Sequence, residues 1–332
     1  MTTVRKARLR LRLILGAIAI ALAVLALTTL QGGGGASRQV CAYTAQKISG
    51  LKQFSGLAQR DISCALVFND TAADWRSWER PWFLSSDNPD EDWARWATRS
   101  GKNRTLVISQ SLFPKNVGGD WLGAGARGDF APHAKALARN LVQAGLGDSV
   151  IRLAAEANGT WQPYSLGASP QQQDLWRRFW RRTAIAIRSV PGAHFRFDWC
   201  VNTAIRPIPL SNFYPGDDVV DIVGVDVYDF SPGPGTAAWL SSYNASDGPG
   251  EVARFARAHH KPLSIPEWGL SAKAPANDPG FVDGLAKFVR NNDVAYQSYF
   301  FAHDSAAQLL RGQRALRAYR EHFGPGGDSS GT

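Results

Sequence analysis

VIRLAAEANGTW (residues 150–161) and KPLSIPEWGL (residues 261–270) share one design: a short apolar run, a glutamate, then a turn that contains glycine. The acids are Glu156 and Glu267, 111 positions apart, and about three strand–helix units fit between them. A strand ending in an acid, met twice at that separation, is how a (β/α)₈ barrel brings two carboxylates to one rim.

Outward from these runs, strand-like and helix-like segments alternate along the chain. Strands are expected at 39–45, 64–70, 104–113, 149–157, 194–202, 219–229, 261–269 and 294–304. They are apolar on both faces, as a parallel sheet covered by helices requires. Amphipathic helices are expected at 48–59, 130–145, 171–190, 250–260, 281–292 and 306–323, with helical turns inside 74–101 and a long loop over 114–129. Eight strand–helix units in this order predict an α/β fold, a (β/α)₈ TIM barrel of one domain. No Gly-x-Gly-x-x-Gly follows the first strand to favour a dinucleotide-binding sheet.

Of 332 residues, 44% are hydrophobic and 20% charged, ordinary globular usage with enough chain for a sizeable core. The net charge of +9 invites a nucleic-acid reading, but Arg5, Lys6, Arg8, Arg10 and Arg12 supply more than half of it. The remaining basic residues are scattered, apart from WRRFWRR (176–182). There the charges take the solvated side of a helix while Trp176, Phe179 and Trp180 fill the other. No nucleic-acid partner is expected, and the chain is expected to be a monomer.

The basic start leads into uncharged, mostly apolar residues 13–30 and then QGGGGAS (31–37). This is the form of an export signal over residues 1–36, cleaved after Ala36 or kept as an anchor with residues 13–30 in the membrane. Either way residues 37–324 would act outside the cytoplasm, extracellular or membrane-anchored, with 325–332 as a disordered tail. Cys41, Cys64 and Cys200 show no metal-ligand spacing, nor do His133, His194, His259 and His260. Neither metal nor cofactor is expected. Cys41 and Cys64 open neighbouring strands, so a disulfide between them is open to an exported protein, with Cys200 left free and buried.

Barrel active sites lie where the strands end. That rule collects Ser109 and Gln110 on the third strand, Glu156, Asn158 and Trp161 past the fourth, and Trp199 and Asn202 on the fifth. It adds Asp226 and Tyr228 on the sixth, Glu267 and Trp268 on the seventh, and His303 and Asp304 on the eighth. Amides, hydroxyls, carboxylates and flat aromatic faces suit a sugar, so the expected substrate is a polysaccharide or oligosaccharide. Trp75, Trp78, Trp82, Trp93 and Trp96 recur at helical spacing and are packing residues, as are Trp176 and Trp180.

Three segments carry a resemblance to glycoside hydrolase family 26, retaining β-glycanases whose (β/α)₈ barrels hold acids at the ends of strands four and seven. RLAAEANGTWQPY (152–164) resembles that family's Arg-x-x-His-Glu-x-Asn-Gly-x-Trp segment. YPGDDVVDIVGVDVYD (214–229) is similar to its sixth-strand region, and PEWG (266–269) stands on the seventh. The resemblance implies a retaining hydrolase of β-linked polysaccharide, mannan-like or another extracellular glycan. The long loops after strands three, five and six, which could wall an open groove, favour endo action. It implies that Glu156 is the general acid/base and Glu267 the nucleophile of a double displacement. Tyr228 would hydrogen-bond Glu267 and keep it ionised. Arg152 would add positive charge beneath the site, by contact with substrate or within a buried ion pair. Asn158, Trp161, Trp199, Asn202 and Trp268 would complete the substrate-binding set, the tryptophans as sugar platforms.

One position departs from the family. Its histidine before the acid/base is Ala155 here, a change at the subsite of the cleaved sugar that bears on β-mannan specificity and not on the two-carboxylate mechanism. Two other readings fit the same barrel: a protein that binds or assembles polysaccharide without cleaving it, and a transglycosylase using the same acids.

Overall fold

A computed structural model describes residues 39–69, 71–99, 101, 103–203, 208–230, 235–270 and 278–325; the expected leader and nearly all of the expected tail lie outside them. The strands are β1 (Gln39–Tyr43), β2 (Cys64–Phe68), β3 (Thr105–Gln110), β4 (Val150–Leu153), β5 (Arg196–Asn202), β6 (Ile222–Asp229), β7 (Leu263–Leu270) and β8 (Val294–Phe300). Each pairs in parallel with the next, and β1 pairs with β8 from Gln39↔Tyr296 to Tyr43↔Phe300. The sheet closes into the expected (β/α)₈ barrel.

The helices that cover it are α1 (Ile48–Ala58), α2 (Trp75–Glu79), α3 (Trp93–Thr98), α4 (Trp121–Arg127), α5 (Ala131–Gln143) and α6 (Pro170–Arg188). They continue with α7 (Leu210–Phe213), α8 (Thr236–Tyr243), α9 (Pro249–Ala258), α10 (Pro279–Asn291), α11 (His303–Arg311) and α12 (Gln313–Phe323). The start of α6 is set by a capping box between Ser169 and Gln172, with proline in the first turn. Its apolar face, Trp176, Phe179 and Trp180, is buried as the sequence predicts. The expected loop over 114–129 holds α4 instead. Asp120 caps it, and Gly125 packs against the Phe179 ring, where a Cβ would sit 2.3 Å from ring carbons. Gly125, which reads as part of a loop, lets two helices touch. Among the described residues no helix is long and apolar enough to cross a membrane.

Strand alternation sorts the barrel interior. At the N-terminal end it is filled by Cys41, Cys64, Leu66, Val107, Val150, Ile222 and Tyr296. Cys41 and Cys64, paired residues of β1 and β2, form a disulfide with Cα atoms 4.4 Å apart, and Cys200 is free and buried. Further along, the filling turns polar with Ser109, Arg152, Asp198, Asp226 and Ser264, all buried. Asp198 accepts hydrogen bonds from Ser264 Oγ (2.6 Å) and the Tyr296 hydroxyl. Gly224 makes room for it, since a Cβ there would come within 2.7 Å of both Asp198 Oδ1 and Ser264 Oγ. Burial pushes the Asp198 carboxyl up to about 6.

β7 carries one extra residue. Ser264 and Trp268 pair with Gly224 and Val227 of β6, and Ile265 and Trp268 pair with Gln297 and Tyr299 of β8. The bulge inverts the alternation, so Ser264 and Glu267 face the interior and Trp268 faces out.

Candidate active site

β4 ends at Leu153, four residues earlier than its sequence suggests. Two left-handed residues follow, Ala154 (φ 51°) and Glu156 (φ 57°). The turn is fastened to both neighbouring strands, Ala154 N donating to Gln110 O (2.8 Å) and Glu156 N to Cys200 O (2.9 Å). Ala154, Ala155 and Ala157 are all buried, because a turn this tight against two strands admits only small side chains. It folds the chain back so that Glu156 stands at the barrel mouth. There Asn202 Nδ2 donates to Glu156 Oε1 (2.5 Å) and the Trp161 indole to Oε2 (2.9 Å).

Glu267 lies deeper. Its Oε1 accepts from Arg152 Nη1 (2.7 Å) and its Oε2 from the Tyr228 hydroxyl (2.8 Å). Arg152 also bonds Asp226 through Nη2, and Asp226 Oδ1 accepts from the Glu267 backbone N–H (2.9 Å). One carboxylate oxygen each of Glu156, Asp226 and Glu267 lie within 4.8 Å of one another. Three such acids could in principle hold a cation. The positive charge among them is already supplied by the guanidinium of Arg152, and both oxygens of Asp226 are spent on it and on the chain.

The electrostatics follow from burial. Burial raises the Glu267 carboxyl above its usual range, the charge of Arg152 opposes that, and the neighbouring Glu156 adds to it. Burial pushes Asp226 well up against the same opposition. It works against the charge of Arg152 too, but the acids around the guanidinium outweigh it. The Tyr228 hydroxyl, buried beside Glu267, is held well above its ordinary value and so remains a proton donor.

The cleft over these groups encloses about 330 Å³ between Glu156, Trp161 and Gln162 on one side and Tyr43, Phe68 and Phe300 on the other. Of the expected site residues, Glu156, Glu267, Arg152, Tyr228, Asn202 and Trp161 converge here. Arg152 resolves as a buried ion pair rather than a group reaching out to substrate. Asn158 is buried and spends its amide on the Asn202 backbone and Asp247, so it serves the site from behind.

Trp199 and Trp268 are not sugar platforms. On β5 the inward residues are Asp198, Cys200 and Asn202, so Trp199 points outward into Phe213, Tyr214 and Phe255, 1% exposed. The β7 bulge turns Trp268 out against Tyr299, Tyr319 and Phe323, fully buried, with its indole on Gln297. The aromatic surface lies elsewhere. Phe68 and Tyr43 meet edge to face, Tyr43 stacks on Phe300, and Tyr228 bridges Phe300 to Phe230, which is 60% exposed. The signal for this wall was available: each of the four strands β1, β2, β6 and β8 ends in an aromatic residue within one position of its last.

Comparison with known proteins fits this geometry. A β-1,3-xylanase from Alcaligenes sp. is 31% identical over 137 residues, 39% of this chain and 25% of that protein, so the match spans about a quarter of that relative's length. Among solved structures, an endo-β-1,4-mannanase from Bacillus sp. has a TM-score of 0.61 at 14% identity, over 87% of this chain and 86% of that one. A β-mannanase from Bacteroides ovatus gives 0.57 at 14% identity, over 86% and 88% of the two chains. A modular endo-β-1,4-mannanase from Cellulomonas fimi gives 0.60 at 17%, over 92% and 75%. At these identities the likeness establishes the shared barrel. The family model for glycosyl hydrolase family 26 matches residues 43–261, from the end of β1 to the threshold of β7. Since that span is more than half of the chain and lies on the same barrel as the mannanases, the protein belongs to glycosyl hydrolase family 26.

Proposed function

We propose that the protein is a retaining glycoside hydrolase of β-linked polysaccharide, with Glu267 as nucleophile and Glu156 as acid/base. The observation that carries this reading is the pair of carboxylates with oxygens within 4.8 Å. Retaining enzymes place theirs about 5–5.5 Å apart, and inverting ones roughly 6.5–9.5 Å apart to admit a water. The surroundings divide the labour. Glu267 is held by Arg152 on one oxygen and Tyr228 on the other, which favour its charged form and fix the orientation of the carboxylate. Glu156 stands at the half-buried mouth, where a leaving oxygen and then a water can reach it.

Glu267 attacks the anomeric carbon while Glu156 gives its proton to the departing glycosidic oxygen. A glycosyl ester forms on Glu267, and Glu156 then takes a proton from the water that displaces it. Trp161 and the wall from Phe68 to Phe230 take the flat faces of sugar rings. Ala155 lines the cleft where the family carries histidine, which leaves the subsite of the cleaved sugar wider and less polar. Substrates to test first are β-1,4-mannan and β-1,3-xylan, after the named activities of the relatives. Action outside the cytoplasm is supported by the basic and apolar leader and by the Cys41–Cys64 disulfide, a bond that persists in oxidising compartments.

The test is a polysaccharide screen with wild type and Glu267→Ala, products resolved by size and anomeric configuration followed by NMR. Oligosaccharides of retained configuration are expected from wild type, with a loss of roughly 10³-fold or more in the variant. Unchanged sugar release by Glu267→Ala, or products of inverted configuration, would sink the proposal.

A further inference from the structure

The group that holds Glu156 is itself held from behind. Asn202, whose side chain donates to Glu156, has its backbone gripped by the buried amide of Asn158. Asn158 Oδ1 accepts from Asn202 N (2.9 Å) and its Nδ2 donates to Asn202 O (2.7 Å). That same Nδ2 donates to Asp247 Oδ2 (2.9 Å). The Asn202 N–H and C=O set which end of the Asn158 amide is the oxygen and which the NH₂. Asp247, an acceptor when ionised, engages that NH₂ from the far side and anchors the amide in place. With the amide reversed, an oxygen would face both the carboxylate and the Asn202 carbonyl and an NH₂ would face the Asn202 N–H, and all three contacts would be lost.

Asp247 sits in the connection between α8 and α9, far from β4 and β5 in sequence and 2% exposed. Its backbone is left-handed (φ 52°), and its N–H is tied to Glu251 Oε2 (3.0 Å). Burial and the charge of Glu251 raise its carboxyl to about 6, while the bond from Asn158 opposes the shift. A carboxylate kept out of water in a strained backbone, with a side-chain amide as its partner, is a costly way to fill space.

We propose that Asp247 is a positioning residue that sets the carboxylate of Glu156 through Asn158 and Asn202. The inference rests on the reading of Glu156 as acid/base, and the experiment separates the two. Asp247→Ala, Asp247→Asn and Glu156→Ala are compared on β-1,4-mannan and β-1,3-xylan, and on the 2,4-dinitrophenyl glycosides of the corresponding disaccharides. A misplaced acid should lower kcat of Asp247→Ala on polysaccharide roughly 10–100-fold with little change in KM. The dinitrophenyl leaving group departs without a proton, so kcat/KM on that substrate should stay within about twofold. Asp247→Asn offers the same acceptor and should recover polysaccharide activity.

A crystal structure of Asp247→Ala should show Asn202 Nδ2 withdrawn from Glu156. Asp247→Ser, too short to reach Asn158, replaces that variant if it does not fold. An unmoved Asn202 in the crystal structure, or equal losses on both substrate types without rescue by Asp247→Asn, would overturn the proposal. Wild-type polysaccharide rates from Glu156→Ala would instead overturn the acid/base assignment, and the crystal structure would still decide the relay.

Discussion

Glu267 shows how much one hydroxyl does in a buried site. Burial raises its carboxyl, so the fraction ionised falls as the pH drops toward the raised value, and the role proposed for Glu267 as nucleophile requires the ionised form. The Tyr228 hydroxyl at 2.8 Å stabilises the charged form and opposes that rise. Tyr228→Phe removes the bond, pushes the carboxyl further up, and moves the acid limb of kcat/KM to higher pH. Near neutrality the variant should lose about tenfold, the weight of one hydrogen bond to a charged group, and the loss should widen as pH falls. A pH–rate profile parallel to wild type would contradict the role. At this scale the sequence was informative because the relation is local. Tyr228 and Asp226 are two apart on one strand, so alternation alone puts both on the inner face. The same rule, applied at Asn202, excludes Trp199 three residues away, which strand-end position by itself did not reveal.

Elements placed the acids where residue counting could not. Glu156 owes its position to the turn after β4, whose left-handed residues have no signature in AAEANG beyond their small size. Alanine tolerates φ 51° at a modest cost, but a β-branched residue does not. Ala154→Val should therefore destabilise the fold by about 2 kcal/mol or more. It should also lower kcat by displacing Glu156, with thermal unfolding and steady-state kinetics as the measures. A variant as stable and active as wild type would mean that the turn does not constrain the acid. The β7 bulge is the counterpart for Glu267. Strict period-two alternation from Ser264 points Trp268 inward and Glu267 outward, the reverse of what the extra residue produces. Pro266, which cannot donate to a ladder, is the visible mark of it.

At the scale of the molecule, the barrel was legible because eight apolar runs alternating with helical ones leave little choice of topology, whereas α4 and α8 were hidden in glycine-rich or weakly patterned connections. The closed barrel also separates the disulfide from the proposed active site. The Cys41–Cys64 bond joins the first two strands at the N-terminal end of the interior, while Glu156, Glu267 and their partners gather at the C-terminal end. A cross-link closing a loop of 23 residues restricts the unfolded chain by about 3 kcal/mol in the entropic account. For a domain of this size that corresponds to roughly 5 °C in Tm. The double variant Cys41→Ser/Cys64→Ser should melt lower by about that much, and reductant should lower wild type alike while leaving the variant unmoved. Activity at 25 °C should remain within about twofold of wild type, because small rearrangements at one end of a packed interior need not reach the other. A variant that keeps its Tm but loses its rate would show that the two ends of the barrel are coupled, and that the disulfide tunes the polar filling under Arg152.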